Sequence, residues 1–262
     1  KANPYLVRMA SSPNASVMED VMAQNPTFFS LWIGNNDVLG YALSGGTGVN
    51  QAGNFDPTTY GGADITDPNV FAQVYNGLVS TLTSGGAKGI VANIPYVTTI
   101  PHFTTVPYNP VPLDQATADM LNGAFAPYNG GLLQAESFGL ISASERAART
   151  IHFTEGNNAV TIVDEDLTNL TPLKIPSYRH ATADDLLVLT SSAFIGTTVG
   201  GNPQLINGVS VPLDDKWVLI PGEQEEIKIA TDLFNTSIKN IANGAGLAFV
   251  DANAIMQRMA DG

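Results

Sequence analysis

Four turn-forming residues, Gly34-Asn35-Asn36-Asp37, come directly after the apolar and aromatic run of residues 28–33. Such a run predicts a strand buried on both faces in a parallel sheet, and the polar residues end it in a tight turn. Open α/β sheets bind their ligands at the carboxyl ends of the strands. The three polar side chains are therefore candidates for ligand binding or catalysis. The competing interpretation is that they only form a turn and cap the next segment.

Two further candidates, Asn93 and His102, lie at or beyond the end of a second apolar run, residues 89–95. Between the two runs, Asp67-Pro68 opens a segment with helical spacing of apolar residues, which predicts a βαβ unit with parallel strands. Parallel strands end at the same edge of a sheet, so both residues are expected on the rim that carries Asn36. His102 is either a pocket residue or an ordinary rim residue.

A hydrophobic strand is followed by Gly34-x-Asn36-Asp37 and then by a second βα unit. This order resembles block III of the SGNH (GDSL-type) hydrolases. Residues 22–29, 37–41 and 249–253 are also similar to exported members of this family from Bacteroidetes-type bacteria. The resemblance implies that Asn36 donates its side-chain N–H to the oxyanion of a tetrahedral intermediate. It also implies that Gly34 lets the backbone turn sharply and that Asp37 fixes the loop. Asn35, Asn93 and His102 are then expected to contact substrate.

The resemblance implies a flavodoxin-like α/β/α sandwich and an ester hydrolase of lipase, esterase or carbohydrate esterase type. Its substrate would be a small-molecule, lipid or carbohydrate ester, attacked by a Ser-His-Asp triad without a cofactor or metal. Only the resemblance implies export, to an extracellular, periplasmic or outer-membrane lipoprotein location. The alternative is a non-catalytic, exported binding lipoprotein that keeps the scaffold with degenerate triad positions.

The triad itself is not expected within this chain. None of its three histidines lies in Asp-x-x-His, and it has no Gly-x-Ser-x-Gly elbow. In the family pattern, Gly-Asp-Ser would precede Lys1 and Asp-x-x-His would follow Gly262, so we expect the central part of an SGNH domain. The runs beginning at residues 28, 89 and 247 would be the third, fourth and fifth strands of the order 2-1-3-4-5. Residues 28–33 should then have one unpaired side and partly uncovered aromatic residues.

The middle of the chain, roughly residues 101–221, predicts a lid-like or cap-like insertion within a single domain spanning residues 1–262. Residues 114–125 and 131–138 predict two helices, with Pro127 and Gly130 as breaks. Ser142-x-x-Glu145 predicts a capping box, and residues 150–153 and 159–163 predict a β-hairpin that includes His152. The cluster Asp164-Glu165-Asp166 lacks the spaced ligands of a calcium loop and is expected to be a solvated hairpin end. His180 is expected in a loop.

The two ends of the chain supply the remaining elements. Ser12-Pro13 predicts the start of a first helix, which Pro26 would stop before the strand at residue 28. Residues 223–243 predict a long amphipathic helix, and residues 247–251 predict the third buried strand. Asp251, at the tip of that strand, is expected to cap the next helix rather than to act in catalysis.

Composition excludes several classes of protein. A chain of 262 residues fits one α/β domain with insertions, and its net charge of −13 with only 13 % charged residues argues against nucleic-acid binding. The absence of cysteine excludes disulfides, thiolate zinc sites and a cysteine nucleophile. No stretch reaches the roughly 18 apolar residues of a membrane span.

Overall fold

The computed structural model describes residues 8–260; the first seven residues, for which the sequence predicts no element, and Asp261-Gly262 lie outside the described part. The helices are α1 Val17–Ala23, α2 Asn36–Leu43, α3 Pro68–Thr83, α4 Pro101–Thr104, α5 Gln115–Ser137, α6 Ala143–Arg149, α7 Pro221–Gly244 and α8 Ala252–Ala260. The strands are β1 Phe28–Leu31, β2 Lys88–Ala92, β3 Val111–Leu113, β4 Gly156–Asn158, β5 Thr161–Val163, β6 Tyr178–His180, β7 Leu186–Leu187, β8 Val218–Leu219 and β9 Ala248–Val250.

The centre of the fold is a parallel sheet of three strands in the order β1-β2-β9. Phe29 pairs with Gly89, and Val91 pairs with Leu31 on one side and Phe249 on the other. The chain is thus an α/β protein, and the predicted parallel pairing of its three apolar runs is confirmed. The strands are shorter than the runs that predict them. The predicted burial on both faces is wrong, because Phe29 is the one buried residue of β1 and no residue of β9 is buried.

One face of this sheet packs against the long helices α3 and α7. The rings of Phe71 on α3 and Phe234 on α7 stack with centroids 4.2 Å apart. Both belong to one buried cluster with Phe29 of β1 and Val91 of β2. The spacing of apolar residues along the two helices, every third or fourth position, places them on the sheet side.

The outer edge of β1 has no partner strand among the described residues, because β1 pairs with β2 alone. Phe28 is 63 % exposed and Trp32 is 59 % exposed, whereas Phe29 between them is buried. The expected unpaired side and partly uncovered aromatic residues are therefore found. The indole N–H of Trp32 donates to the backbone oxygen of Asn93 at 3.1 Å, which holds the ring against the end of β2.

The middle of the chain has a core of its own. Leu121 and Phe125 of α5 are buried with Phe153, Ile162 and Leu213, and short antiparallel pairs join β3 to β4, β5 to β6 and β7 to β8. Trp217 packs against this core and against the core of the parallel sheet. We call this part, roughly residues 101–221, the middle block, and the parallel sheet with α3 and α7 the α/β unit. The middle block packs onto the α/β unit through Trp217, which precedes α7.

The expected pair of helices around Pro127 is a single helix, α5, of 23 residues with the proline inside it. The prediction of a break is wrong because tertiary contacts hold both halves in line. Leu121 and Phe125 before the proline and Leu132 after it are buried, and that packing outweighs the missing hydrogen bond. No helix in the described part, including α5 and α7, is long and apolar enough to cross a membrane.

The predicted hairpin of residues 150–153 with residues 159–163 is also wrong. Side chains of α5 bind the first of these segments instead: Asn129 exchanges hydrogen bonds with the backbone of Ile151, and Asn122 does the same with Phe153. These amides satisfy the backbone groups that a hairpin partner would have satisfied. β4 pairs with β3, and β5 pairs with β6.

Helix caps show both a correction and confirmations. The first helix begins after Ser16 rather than at Ser12-Pro13, because Ser16 and Glu19 form a reciprocal capping box. Asp67 caps α3 as predicted. Only half of the predicted Ser142 capping box forms: the Ser142 hydroxyl accepts from the N–H of Glu145, but the Glu145 carboxylate accepts from Arg149 and Thr168 instead. Asp251 accepts from the N–H of Ala254 at 3.0 Å in the first turn of α8, which confirms its predicted capping role.

Candidate functional site

The polar turn after β1 depends on a glycine. Gly34 has φ +114°, a conformation that disfavours residues with a Cβ, and a Cβ there would lie 2.5 Å from Cδ1 of Ile94 and 2.9 Å from Cε2 of Phe71. The backbone therefore passes close to side chains that follow β2 and sit on α3. This approach turns the chain sharply from β1 into α2.

The next residues form the start of α2, at the carboxyl end of β1. Asn35 is the N-cap residue, yet its side chain makes no capping hydrogen bond, and its Oδ1 is buried without a partner in the described structure. Asn36 is the first residue of the helix and is exposed to solvent. The turn part of the competing interpretation is confirmed, but side-chain capping by Asn35 is not found.

Asp37 ties this turn to the loop that precedes α3. Its Oδ1 accepts a hydrogen bond from the hydroxyl of Thr66 at 2.8 Å, and its backbone oxygen accepts from the N–H of Thr66 at 3.1 Å. Burial raises the pKa of the Asp37 carboxyl, and the hydrogen bond from Thr66 opposes that shift. Asp37 thus joins the turn to a residue 29 positions away rather than through local bonds to its own backbone region, and its role at the site stays a prediction.

A largely apolar cavity of about 200 Å³ adjoins the turn. Ile33, which precedes the turn, and Asp37, its last residue, line this cavity. Phe71, Tyr75 and Leu78 are among the other lining residues. The hydroxyl of Tyr75 is buried without a partner in the described structure, and burial raises its pKa to about 12. The cavity therefore has mainly apolar walls, and its polar lining residues are Asp37, Tyr60, Thr66 and Tyr75.

The side chain of Asn93 is engaged within the protein. Its Nδ2 donates to Oδ1 of Asp251 at 2.8 Å, and its Oδ1 accepts from the N–H of Asn253 at 2.8 Å. Hydrogen bonds from the Ala254 N–H and from Asn93 lower the pKa of Asp251. Asn93 thus joins the ends of β2 and β9, and this interaction uses the polar atoms that a substrate would contact.

His102 lies in α4, on the segment that follows β2. Its Nε2 is buried and has no hydrogen-bond partner in the described part of the chain. Its ring meets that of Phe103 edge to face, with centroids 4.9 Å apart. The structure shows no hydrogen bond that joins His102 to Asn36 or to Asn93 among the described residues.

The other two histidines, His152 and His180, are neighbours in space. The ring nitrogens of His180 contact backbone atoms and, within the described part of the chain, no serine side chain. Nε2 of His180 lies 3.1 Å from both the backbone nitrogen and the backbone oxygen of His152, and Nδ1 lies 3.2 Å from the oxygen of Ala159. Burial lowers the pKa of His180. His180 belongs to β6, not to the loop expected from the sequence, and His152 is exposed but lies outside any strand.

The acidic cluster after β5 is divided between two environments. Asp164 is buried and pairs with Arg179, so the expectation of a solvated hairpin end is wrong for this residue. Glu165 and Asp166 are exposed. Glu165 lies beside Asp215 and Glu223, a grouping that sequence reasoning missed because the three residues are far apart in the chain.

No protein-family model, no curated protein and no solved structure matches this chain. The α/β class follows from the structure itself, with its three parallel strands and packed helices. The resemblance of residues 28–37 to an SGNH block III, and the roles that it implies for Asn36 and its neighbours, stay predictions.

Proposed function

We propose that this chain carries the oxyanion-binding turn and part of the acyl pocket of an SGNH-type ester hydrolase. One observation supports this function above the others. The backbone leaves β1 at Gly34 in a conformation suited to glycine. It places Asn36, which is exposed, at the start of α2. Ile33 before the turn and Asp37 after Asn36 line an apolar cavity.

The chemistry of the turn fits a developing oxyanion. The exposed side chain of Asn36 can donate its N–H groups to a substrate, and the amino-terminal end of α2 carries partial positive charge. Donors held in place before the reaction stabilise the negative charge of a tetrahedral intermediate. Asp37 keeps the turn in place through its hydrogen bond with Thr66.

The cavity beside the turn suggests the acyl side of the substrate. Its walls are mainly the apolar side chains of Ile33, Phe71 and Leu78, and its volume of about 200 Å³ suits a short acyl chain. His102, on the segment that follows β2, is proposed as a residue of the pocket rim. The nucleophile and base would come from Gly-Asp-Ser and Asp-x-x-His segments, and export would accompany this family assignment.

The test is the hydrolysis of a short-chain aryl ester by the complete protein. Asn36→Ala should lower kcat by about 10²–10³ without a change in thermal stability, because one oxyanion donor is lost. Asn69→Ala is a matched control, since Asn69 is also exposed in the first turn of a helix, α3, but lies outside the turn after β1. Wild-type turnover by Asn36→Ala would remove Asn36 from the mechanism.

A non-catalytic binding protein on the same scaffold is the second candidate, because the largely apolar cavity beside the turn could hold a ligand without any reaction. The three histidines do not separate the two candidates, since neither candidate requires a triad within this chain. A serine-directed phosphonate should label the complete protein if it is an enzyme. Absence of both labelling and turnover would favour the binding protein. Saturable turnover by residues 1–262 alone would place the triad inside this chain.

A further inference from the structure

Three carboxylates from separate segments meet beside the start of α7. Glu165 follows β5, Asp215 begins the short 3₁₀ helix Asp215–Trp217, and Glu223 lies in the first turn of α7. Each offers one carboxylate oxygen, and these three oxygens all lie within 4.8 Å of one another. The fold therefore brings together three negative groups that are separated by up to 58 positions in the sequence (223 − 165).

Glu223 has one carboxylate oxygen without a hydrogen-bond partner in the described part of the chain. The residue is only 6 % exposed, and its Oε2 accepts a hydrogen bond from the N–H of Ile220 at 2.7 Å. Its Oε1 is buried and has no hydrogen-bond partner among the described residues. A buried oxygen without a partner is costly, so an oxygen that persists in this state is a candidate ligand atom.

The backbone around Glu223 is fitted to its carboxylate. Gly46 has φ +80°, and a Cβ on it would come within 1.6 Å of Oε1 of Glu223. A side chain at this position would therefore occupy the space beside that oxygen. The loop after α2 approaches the carboxylate with backbone alone.

No positive side chain neutralises the group. None of the ion pairs found among the described residues includes Glu165, Asp215 or Glu223. Lys216, next to Asp215, instead places its Nζ 5.2 Å from the centre of the Trp217 ring.

We propose that Glu165, Asp215 and Glu223 bind a divalent cation, Ca²⁺. The three groups supply only oxygen, the ligand atom that this hard cation prefers, and the exposed side of Glu165 leaves room for the water ligands that complete its coordination. The cation would join the loop after β5 to the start of α7. It would thereby fasten the middle block to the helix that covers the parallel sheet.

Calorimetric titration of the chelator-treated chain with CaCl₂ tests this site. We expect one saturable site per chain and a rise in Tm of about 5 °C at a free Ca²⁺ concentration 100-fold above Kd. Glu165→Gln and Asp215→Asn should each weaken binding at least tenfold. Glu155→Gln removes an exposed carboxylate that does not belong to the group and should bind Ca²⁺ as the wild type does.

Glu223→Gln is the most direct variant, but its residue is buried. The exposed Glu165 keeps the test valid if Glu223→Gln fails to fold, since substitution at Glu165 disturbs no packed side chain. Absence of a saturable Ca²⁺ site in the wild type would overturn the proposal, and would leave a shared proton as the group that neutralises these carboxylates. Equal affinity in the wild type and in Glu165→Gln would also overturn it, as would preferential binding of Mg²⁺.

Discussion

Arg179 and Asp185 form a buried, two-pronged ion pair in the middle block. Nη1 of Arg179 donates to Oδ2 of Asp185 at 2.6 Å, and Nη2 donates to Oδ1 at 2.7 Å. Asp164 accepts from Nε of the same guanidinium, and Thr182 donates its N–H to Asp185. Burial alone would lower the pKa of Arg179, but its hydrogen bonds to the carboxylates of Asp185 and Asp164 outweigh burial and raise it.

Removal of one member of this pair should destabilise the fold strongly. Asp185→Ala leaves a buried guanidinium with one carboxylate instead of two, and loss of a partner from a buried pair costs about 3–5 kcal/mol. Chemical denaturation should show this loss in the free energy of unfolding. Lys228→Met breaks the exposed pair of Lys228 with Asp232 and should change stability little. Equal losses in the two variants would contradict a stabilising role for the buried pair.

His180 should give the protein a specific loss of stability in mild acid. Burial lowers the pKa of His180 in the folded chain below the ordinary value of 6.5. Below pH 6.5 the unfolded chain therefore binds more protons than the folded chain, so stability falls as the pH decreases. Above pH 6.5 both states are neutral at this residue, and its contribution is fully present.

Denaturation curves between pH 7 and pH 5 measure this effect. His180→Gln removes the titrating ring and should flatten the dependence of unfolding free energy on pH in this interval. His152→Gln is the matched control, because His152 contacts His180 through its backbone and its side chain is exposed. An unchanged pH dependence in His180→Gln would assign the acid sensitivity to other groups.

Local sequence signals predicted the α/β unit well. Asp67-Pro68 marks the start of α3 because the capping carboxylate and the proline both act within one turn of the chain. The apolar runs around Phe29 and Val91 predicted the parallel strands correctly. They did not predict burial correctly, because Phe28 and Ser30 of β1 are exposed on either side of buried Phe29. The correctly predicted features depend on neighbours in sequence, so they are visible without a structure.

Features that depend on distant partners were not visible. Pro127 lies inside a continuous helix because buried residues before it pack in the middle core and buried residues after it pack in a neighbouring apolar cluster. Residues 151 and 153 lack the predicted hairpin partner because Asn122 and Asn129 bind their backbone groups. The meeting of Glu165 with Glu223 likewise requires the complete fold, since no short spacing relates them.

Gly34→Ala should destabilise the turn that carries Asn36. The substitution combines two effects: strain at φ +114° and overlap of a Cβ with Ile94 and Phe71. Each effect costs about 1–3 kcal/mol. Gly53→Ala separates them, because Gly53 has φ +88° with nothing within 4 Å of the added Cβ and so retains only the strain. Denaturant unfolding should show a larger decrease in the free energy of unfolding for Gly34→Ala than for Gly53→Ala. An equal loss would mean that the side chains around Gly34 move aside.

The unpaired edge of β1 should make the 262-residue chain self-associate. Phe28 is 63 % exposed on a strand whose outer backbone groups have no strand partner in the described structure. Open apolar edges pair with other chains, and natural proteins block such pairing with charged residues such as lysine. Phe28→Lys should therefore reduce the concentration-dependent increase in mass measured by light scattering after size-exclusion chromatography.

Leu133→Lys is the control for this edge, because Leu133 is 57 % exposed but lies on helix α5, whose backbone hydrogen bonds are satisfied within the helix. The same charge is added and a similar apolar area is removed, so a general gain in solubility would appear in both variants. Only Phe28→Lys should suppress association if the strand edge drives it. Equal suppression by both variants would assign association to exposed apolar surface in general, and the edge of β1 would then have no special role.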